Sequence, residues 1–217
     1  MFFYLSRNPK AYARIADEIR TTFSSSQDIK SGSQLSGCKY LRAAIDETLR
    51  IAPPFVGTFW REPYADNTQP FVVDGHVIPR GTMVGVNPYC IMHNPEYFSE
   101  PFAFRPERWL ESEDGEGEEQ RAAMRAAFAP FALGETGCLG KAMAYHEMSL
   151  VIAKVLWYFD FEKAEGEAGK LGEGTPGRKD GRDRVEEYQL LDNAVAGHDG
   201  PNLVFKPRGE HWKGLGA

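Results

Sequence analysis

Cys138 stands where a glycine-rich stretch becomes a helix, and that junction constrains the fold more than any other feature of the chain. The stretch reads Phe131-Ala132-Leu133-Gly134-Glu135-Thr136-Gly137-Cys138-Leu139-Gly140-Lys141, with helical spacing from Leu139 to about Phe159. Glycine adopts backbone conformations closed to other residues, so such a loop can turn tightly and bring the main chain close to a broad, flat ligand. The unpaired N–H groups of a helix start favour negative charge, here a thiolate. A lone cysteine is more often a buried packing residue. The flanking glycines and Phe131 argue instead for a ligand.

The rest of the chain reads as mainly helical with a small β portion. Asn8-Pro9 makes a good helix start, with Asn8 able to cap and Pro9 suited to the first turn. Tyr12, Ile15, Ile19 and Phe23 then form one apolar stripe. Residues 24–37, rich in Ser and Gly, read as a loop. A second helix over 39–51 sets Leu41, Ile45 and Leu49 on one side and stops at Pro53-Pro54. Asp74-Gly75, between Phe71–Val73 and His76–Ile78, predicts a two-residue hairpin turn, and Thr82–Val86 supplies another short strand. Residues 94–110 are dense in Pro and aromatics and suit a packed irregular segment. The acidic run Glu111–Glu119 predicts a solvated loop. Asp160 and Glu162 are expected exposed at the end of the long helix. Gly and charged residues from Glu165 to Arg184 predict a flexible insertion, followed by a strand pair that is clearest at Asn202–Phe205.

Composition narrows the function. A net charge of −6 and a pI near 5.5 argue against general nucleic-acid binding, which needs a concentrated basic surface. Cys38, Cys90 and Cys138 are too few and too far apart for a disulfide framework, which points to a reducing, intracellular compartment. Met1–Leu5 is too short an apolar run to span a bilayer, so no membrane anchor is read in this chain. His76, His93, His146, His198 and His211 have no metal-ligand spacing.

Three further elements place charge deliberately. Glu47 and Arg50 share one face of the second helix. Arg108, in Phe104-Arg105-Pro106-Glu107-Arg108-Trp109, sits on a segment stiffened by prolines and aromatics, and its planar fork could reach back to a buried carboxylate. Arg61, after Phe59-Trp60, could meet an anionic group on a cofactor. Taken singly, each is better explained as a surface pair or an ordinary loop arginine.

In combination and in order, these motifs resemble the cytochrome P450 family over residues 1 to about 163. The family's heme-binding signature, F-x-x-G-x-[RH]-x-C-x-G, is matched by Phe131, Gly134, Cys138 and Gly140. Glu47 and Arg50 match its E-x-x-R helix, and Pro106, Glu107 and Arg108 its P-E-R segment. The resemblance implies the C-terminal half of the P450 fold as one partial domain. Residues 1–51 would be helices, 55–93 the β region, 94–137 the meander and heme-binding loop, 138–163 the proximal helix, and 164–217 the insertion and final strands. It implies heme, with Cys138 as axial iron ligand and Arg61 as a propionate contact. Glu47, Arg50 and Arg108 would form the ion-pair triad that locks the fold, and the helix from Leu139 would bury Met143 and Leu150 against the proximal side of the heme. The implied activity is insertion of one O2-derived oxygen atom into a small organic substrate, with electrons from NADPH through NADPH–cytochrome P450 reductase. Lys141, Arg121 and Arg125 are candidate contacts for that reductase. Full-length members work at the face of the endoplasmic reticulum membrane, and the wording of the motifs is similar to that of fungal secondary-metabolism members.

Two departures stand out. Thr136 occupies the position where Arg or His is usual, so heme binding would lean more on Arg61. The family's chains are typically much longer, and no segment here resembles the helix whose acid–alcohol pair delivers protons to bound oxygen. No catalytic residue is therefore assigned. The alternatives are a truncated, inactive heme-binding fragment and a heme-thiolate isomerase or dehydratase that does not use O2.

Overall fold

The computed structural model describes residues 1–111 and 117–216. Helices α1 (Phe2–Leu5), α2 (Pro9–Thr22), α3 (Ser33–Ser36) and α4 (Lys39–Ile51) come first. Ile15, Ile19 and Phe23 of the α2 stripe are at most 2% exposed. Asn8 does not cap α2 with its side chain. Its Nδ2 donates to the Tyr4 carbonyl (2.8 Å), because α1 ends just upstream and leaves that carbonyl in need of a donor. The start of α4 is capped from another helix. Glu18 of α2 accepts the N–H groups of Tyr40 (2.9 Å) and Leu41 (2.8 Å), a carboxylate at the positive end of the helix.

Strands β1 (Phe59–Arg61), β2 (Phe71–Val73), β3 (His76–Ile78) and β4 (Val84–Val86) follow. The β2–β3 hairpin turns on Asp74 (φ 47°) and Gly75 (φ 76°), the two left-handed residues such a turn requires. β4 pairs antiparallel with β1, Val84 opposite Arg61. After α5 (Pro88–Met92), an irregular segment runs to a 3-10 turn at Pro106–Trp109. Of the acidic run, residues 112–116 lie outside the described residues. Glu118 and Glu119 open a helix, α6 (Glu118–Ala127), where negative charge suits the first turn and Met124 and Ala127 are buried.

The long helix, α7, spans Lys141–Tyr158, so Cys138–Gly140 still belong to the loop. Residues 159–163 are not helical. The alternating Phe159-Asp160-Phe161-Glu162-Lys163 has a period of two and forms β5 (Phe159–Lys163). Next come α8 (Gly166–Gly169), the β6 (Leu190–Asn193) and β7 (Val195–His198) hairpin, and β8 (Leu203–Pro207), which pairs antiparallel with β5. Asp160 therefore does not end a helix: it binds Arg20 (2.6 Å) and the Tyr12 hydroxyl (3.0 Å). The segment Glu165–Arg184 is folded against the body. Glu173, its side chain 8% exposed, is held by Arg7 (2.9 Å) and Lys163, and Arg7 also donates to the Gly169 carbonyl (2.7 Å). Its glycines and charges build tight turns and ion pairs, a composition shared with flexible chain.

The core lies among α2, α4 and α7. Ile15, Ile19, Leu41, Ile45, Ile152 and Leu156 are each at most 5% exposed, and truncating such a side chain to Ala costs about 2–5 kcal/mol. Met143 is 65% exposed, off the face α7 turns toward α2 and α4, and Leu150 is half-buried against the core. Among the described residues, no helix is long and apolar enough to cross a membrane.

Candidate heme-thiolate site

Two assemblies make the site. The first is built on α4. Glu47 and Arg50, three residues apart, form a two-pronged pair, with Arg50 Nη2 2.8 Å and Nε 2.9 Å from the two carboxylate oxygens. Pro106 starts the 3-10 turn that swings Arg108 inward, and Arg108 Nε lies 3.2 Å from the same carboxylate. All three side chains are fully buried. The Arg105 N–H (3.0 Å) and the Trp109 indole N–H (2.9 Å) also donate to Glu47. One carboxylate facing two guanidinium groups leaves surplus positive charge, and main-chain oxygens take it up. Arg50 donates to the carbonyls of Met92 (2.8 Å), Pro101 (2.7 Å) and Ala103 (3.3 Å), and Arg108 to those of Ser99 (2.9 Å) and Glu100 (3.4 Å). Burial alone would raise the Glu47 pKa; Arg50 first and Arg108 next outweigh it and hold the group below its ordinary value.

The second assembly is the Cys138 loop. Ala132 (φ 56°) and Gly134 (φ 69°) take left-handed conformations, a 3-10 turn covers Gly134–Thr136, and the Gly137 N–H closes on the Gly134 carbonyl (3.0 Å). A non-glycine residue such as Ala132 holds that geometry at a cost of about 1–3 kcal/mol, which is typical of functional loops. The Cys138 N–H donates to the Phe131 carbonyl (2.9 Å), and the thiol is exposed. Arg61, at the end of β1, donates from Nη2 to the Thr136 hydroxyl (3.0 Å), so residues 75 apart in sequence meet beside the loop. Leu133 and Leu139, flanking the loop, are 61% and 103% exposed.

Sequence reasoning missed Trp109 as a partner of Glu47. An indole N–H can only donate and needs an acceptor when it is buried, and Trp109 directly follows Arg108 on the same rigid turn.

The cytochrome P450 family model matches residues 1–177. The chain belongs to the cytochrome P450 family. It is 41% identical over 206 residues to cytochrome P450 monooxygenase AKT7 of Alternaria alternata, covering 94% of this chain and 39% of that protein. It is 43% identical over 209 residues to cytochrome P450 monooxygenase apf8 of Gibberella fujikuroi, covering 95% and 54%. Cytochrome P450 monooxygenase atnE of Emericella nidulans is 38% identical over 208 residues, covering 95% and 37%. The chain thus spans roughly two fifths to half the length of these curated relatives, and its helices and small sheets form part of a P450 fold.

The P450 family implies heme, and the residues present fit that group. Among the described residues, no cluster of three or more His, Cys, Asp or Glu could hold a bare metal ion. A single exposed thiol suits an iron that arrives with four macrocycle nitrogens of its own. Exposed apolar side chains on either side of Cys138 suit the macrocycle, and the Arg61–Thr136 pair offers donors for its carboxylates.

Proposed function

We propose that Cys138 is the axial ligand of a heme iron, and that the chain supplies the cofactor-binding part of a monooxygenase. The enzyme would insert one O2-derived oxygen atom into a small organic substrate, with electrons from NADPH passed by a cytochrome P450 reductase. The observation that carries this reading is the exposed Cys138 thiol, on a strained glycine loop beside the Arg61–Thr136 pair. Bound there, the heme supplies the oxygen-activating chemistry.

The chain's own residues bind, orient and support. Arg61 and Thr136 engage the propionates, Arg61 by charge and Thr136 by its hydroxyl. Gly134 and Gly140 keep the backbone low enough for close approach, and Phe131 anchors Cys138 through its carbonyl. The triad fixes α4 against the irregular segment ahead of the loop. Exposed Lys141 at the start of α7, and exposed Arg125 with half-buried Arg121 on α6, are the cationic contacts for the reductase. The similarity to fungal monooxygenases supports a role in secondary metabolism. The test is to reconstitute the chain with heme, reduce it and add CO. The red-shifted Soret band of a thiolate complex is expected, and a spectrum without it would overturn the reading.

A further inference from the structure

The Cys138 loop is tied to α4 by a route that bypasses the triad. Tyr145, early in α7, is 8% exposed, and its hydroxyl donates to Asp46 Oδ1 (2.6 Å). Arg42, one turn back on α4, pairs with Asp46 Oδ2 (2.9 Å) and lays its guanidinium 3.7 Å from the centre of the Tyr145 ring. That ring packs against Phe131, with centroids 5.4 Å apart. The Phe131 carbonyl in turn accepts the Cys138 N–H (2.9 Å). Burial first, then the bond to Asp46, push the Tyr145 pKa up, so the phenol stays a neutral donor. The Arg42–Asp46 pair alone would be a half-exposed surface bridge worth little. With Tyr145 added, it fixes a buried ring at one end and on one face.

We propose that Arg42, Asp46 and Tyr145 form a clamp that positions the Cys138 thiolate, acting through Phe131. This rests on the assignment of Cys138 as the heme ligand. The orientation of a metal ligand and the hydrogen bonds around it set the strength and potential of the metal–ligand bond. A shift of Phe131 moves the carbonyl that anchors Cys138, so a loosened Tyr145 reaches the sulfur without touching it. Tyr145 is thus a positioning residue.

The test compares the heme-loaded chain with its Tyr145→Phe and Tyr145→Leu variants. Tyr145→Phe keeps the ring against Phe131 and removes only the hydroxyl, so it carries the test even if Tyr145→Leu fails to fold. The readouts are the lifetime of the thiolate–CO band as it decays to the thiol-ligated form, and the midpoint reduction potential. Tyr145→Phe is expected to shorten the lifetime about tenfold, the effect of losing one hydrogen bond to a charged acceptor, and to shift the potential. Tyr145→Leu is expected to do more. Unchanged lifetime and potential, in variants of a wild type that shows the band, would overturn the clamp alone. A wild type without the band, or a band that survives Cys138→Ala, would overturn the ligand assignment, and the clamp would fall with it.

Discussion

Arg61 and Thr136 are joined by a 3.0 Å hydrogen bond that links the end of β1 to the Cys138 loop. Where the family's heme signature has Arg or His, this chain has Thr136, so under the proposed heme assignment Arg61 is the single cation at the propionates, steadied by a neutral hydroxyl. Thr136→Arg should put two guanidinium groups side by side. Without heme the repulsion is expected to leave the chain no more stable than wild type. With heme the added charge-assisted bond is expected to slow heme transfer to apomyoglobin about tenfold. Retention equal to or below that of wild type would count against the propionate lying there.

Cys138→Ala should abolish the thiolate–CO band and leave the apoprotein's helical content unchanged, because the thiol is exposed and the hydrogen bonds of this residue, N–H to the Phe131 carbonyl and carbonyl from the Lys141 N–H, run through the backbone that alanine keeps. A persisting band would move the ligand to another residue.

Arg50→Ala should cost about 3–5 kcal/mol in chemical denaturation, since it takes the two-pronged partner from the buried Glu47 carboxylate and removes the Arg50 donor from the carbonyls of Met92, Pro101 and Ala103. Trp109→Phe removes one donor from the same carboxylate and should cost about 1–3 kcal/mol. Equal stability of Trp109→Phe and wild type would show that the indole bond adds nothing to the cluster.

His93 should make the fold acid-sensitive. It is 7% exposed, stacks on Tyr89 (3.9 Å between centroids), and donates from Nδ1 to the Tyr89 carbonyl (2.8 Å), while its Nε2 has no hydrogen-bond partner among the described residues. Burial, aided by the nearby charge of Arg50, pushes its pKa down to about 4 from the ordinary 6.5. The unfolded chain therefore takes up this proton first as pH falls. Its stabilising contribution is complete above pH 6.5 and is lost progressively toward pH 4, by up to about 3 kcal/mol at 1.36 kcal/mol per pH unit. Urea unfolding across that window should slope downward in wild type and lie flatter in His93→Phe. Glu47, with its pKa lowered, adds a further loss at still lower pH. Parallel slopes in the two proteins would rule out His93 as the source.

The heme-loaded chain, incubated with a reductase and NADPH, is expected to oxidise NADPH with little oxygenated product. It spans only 37–54% of the length of the three relatives above, and a substrate must be held and water excluded for the two to be coupled. Stoichiometric, stereoselective product would show that these 217 residues enclose a complete pocket.

The helical frame was legible because α2 and α4 are amphipathic and their burial follows spacing directly, down to Leu41, Ile45 and Leu49 on one face. The Asp74-Gly75 turn was legible for a local reason, since both residues accept positive φ. What escaped notice depends on distant partners. The strand β5 is five residues long and takes its identity from β8, some forty residues downstream. Helix α6 begins inside an acidic run whose charge looks like solvated loop until the helix end it suits is known. Asn8 carries a capping side chain, but whether it caps forward or reaches back depends on α1. Within the site, Glu47, Arg50 and Arg108 announced themselves as charges with fixed neighbours. Trp109 and Tyr145 drew no reading of their own, because only the fold reveals which acceptor each polar tip finds.

The carboxylate of Glu18, which seats the first turn of α4, separates the placement of that helix from the length of the chain that leads to it. Between α2 and α4, Phe23, Ile29, Leu35 and Cys38 are buried anchors, whereas Lys30, Ser31 and Gly32 are exposed. Lengthening a loop there costs little, about 0.6 kcal/mol per doubling, and Glu18 would still find the same two N–H groups. Residues 30–32 are thus the natural splice point for inserting a reporter, an epitope or a tethered electron-transfer domain without disturbing the helix that carries the triad.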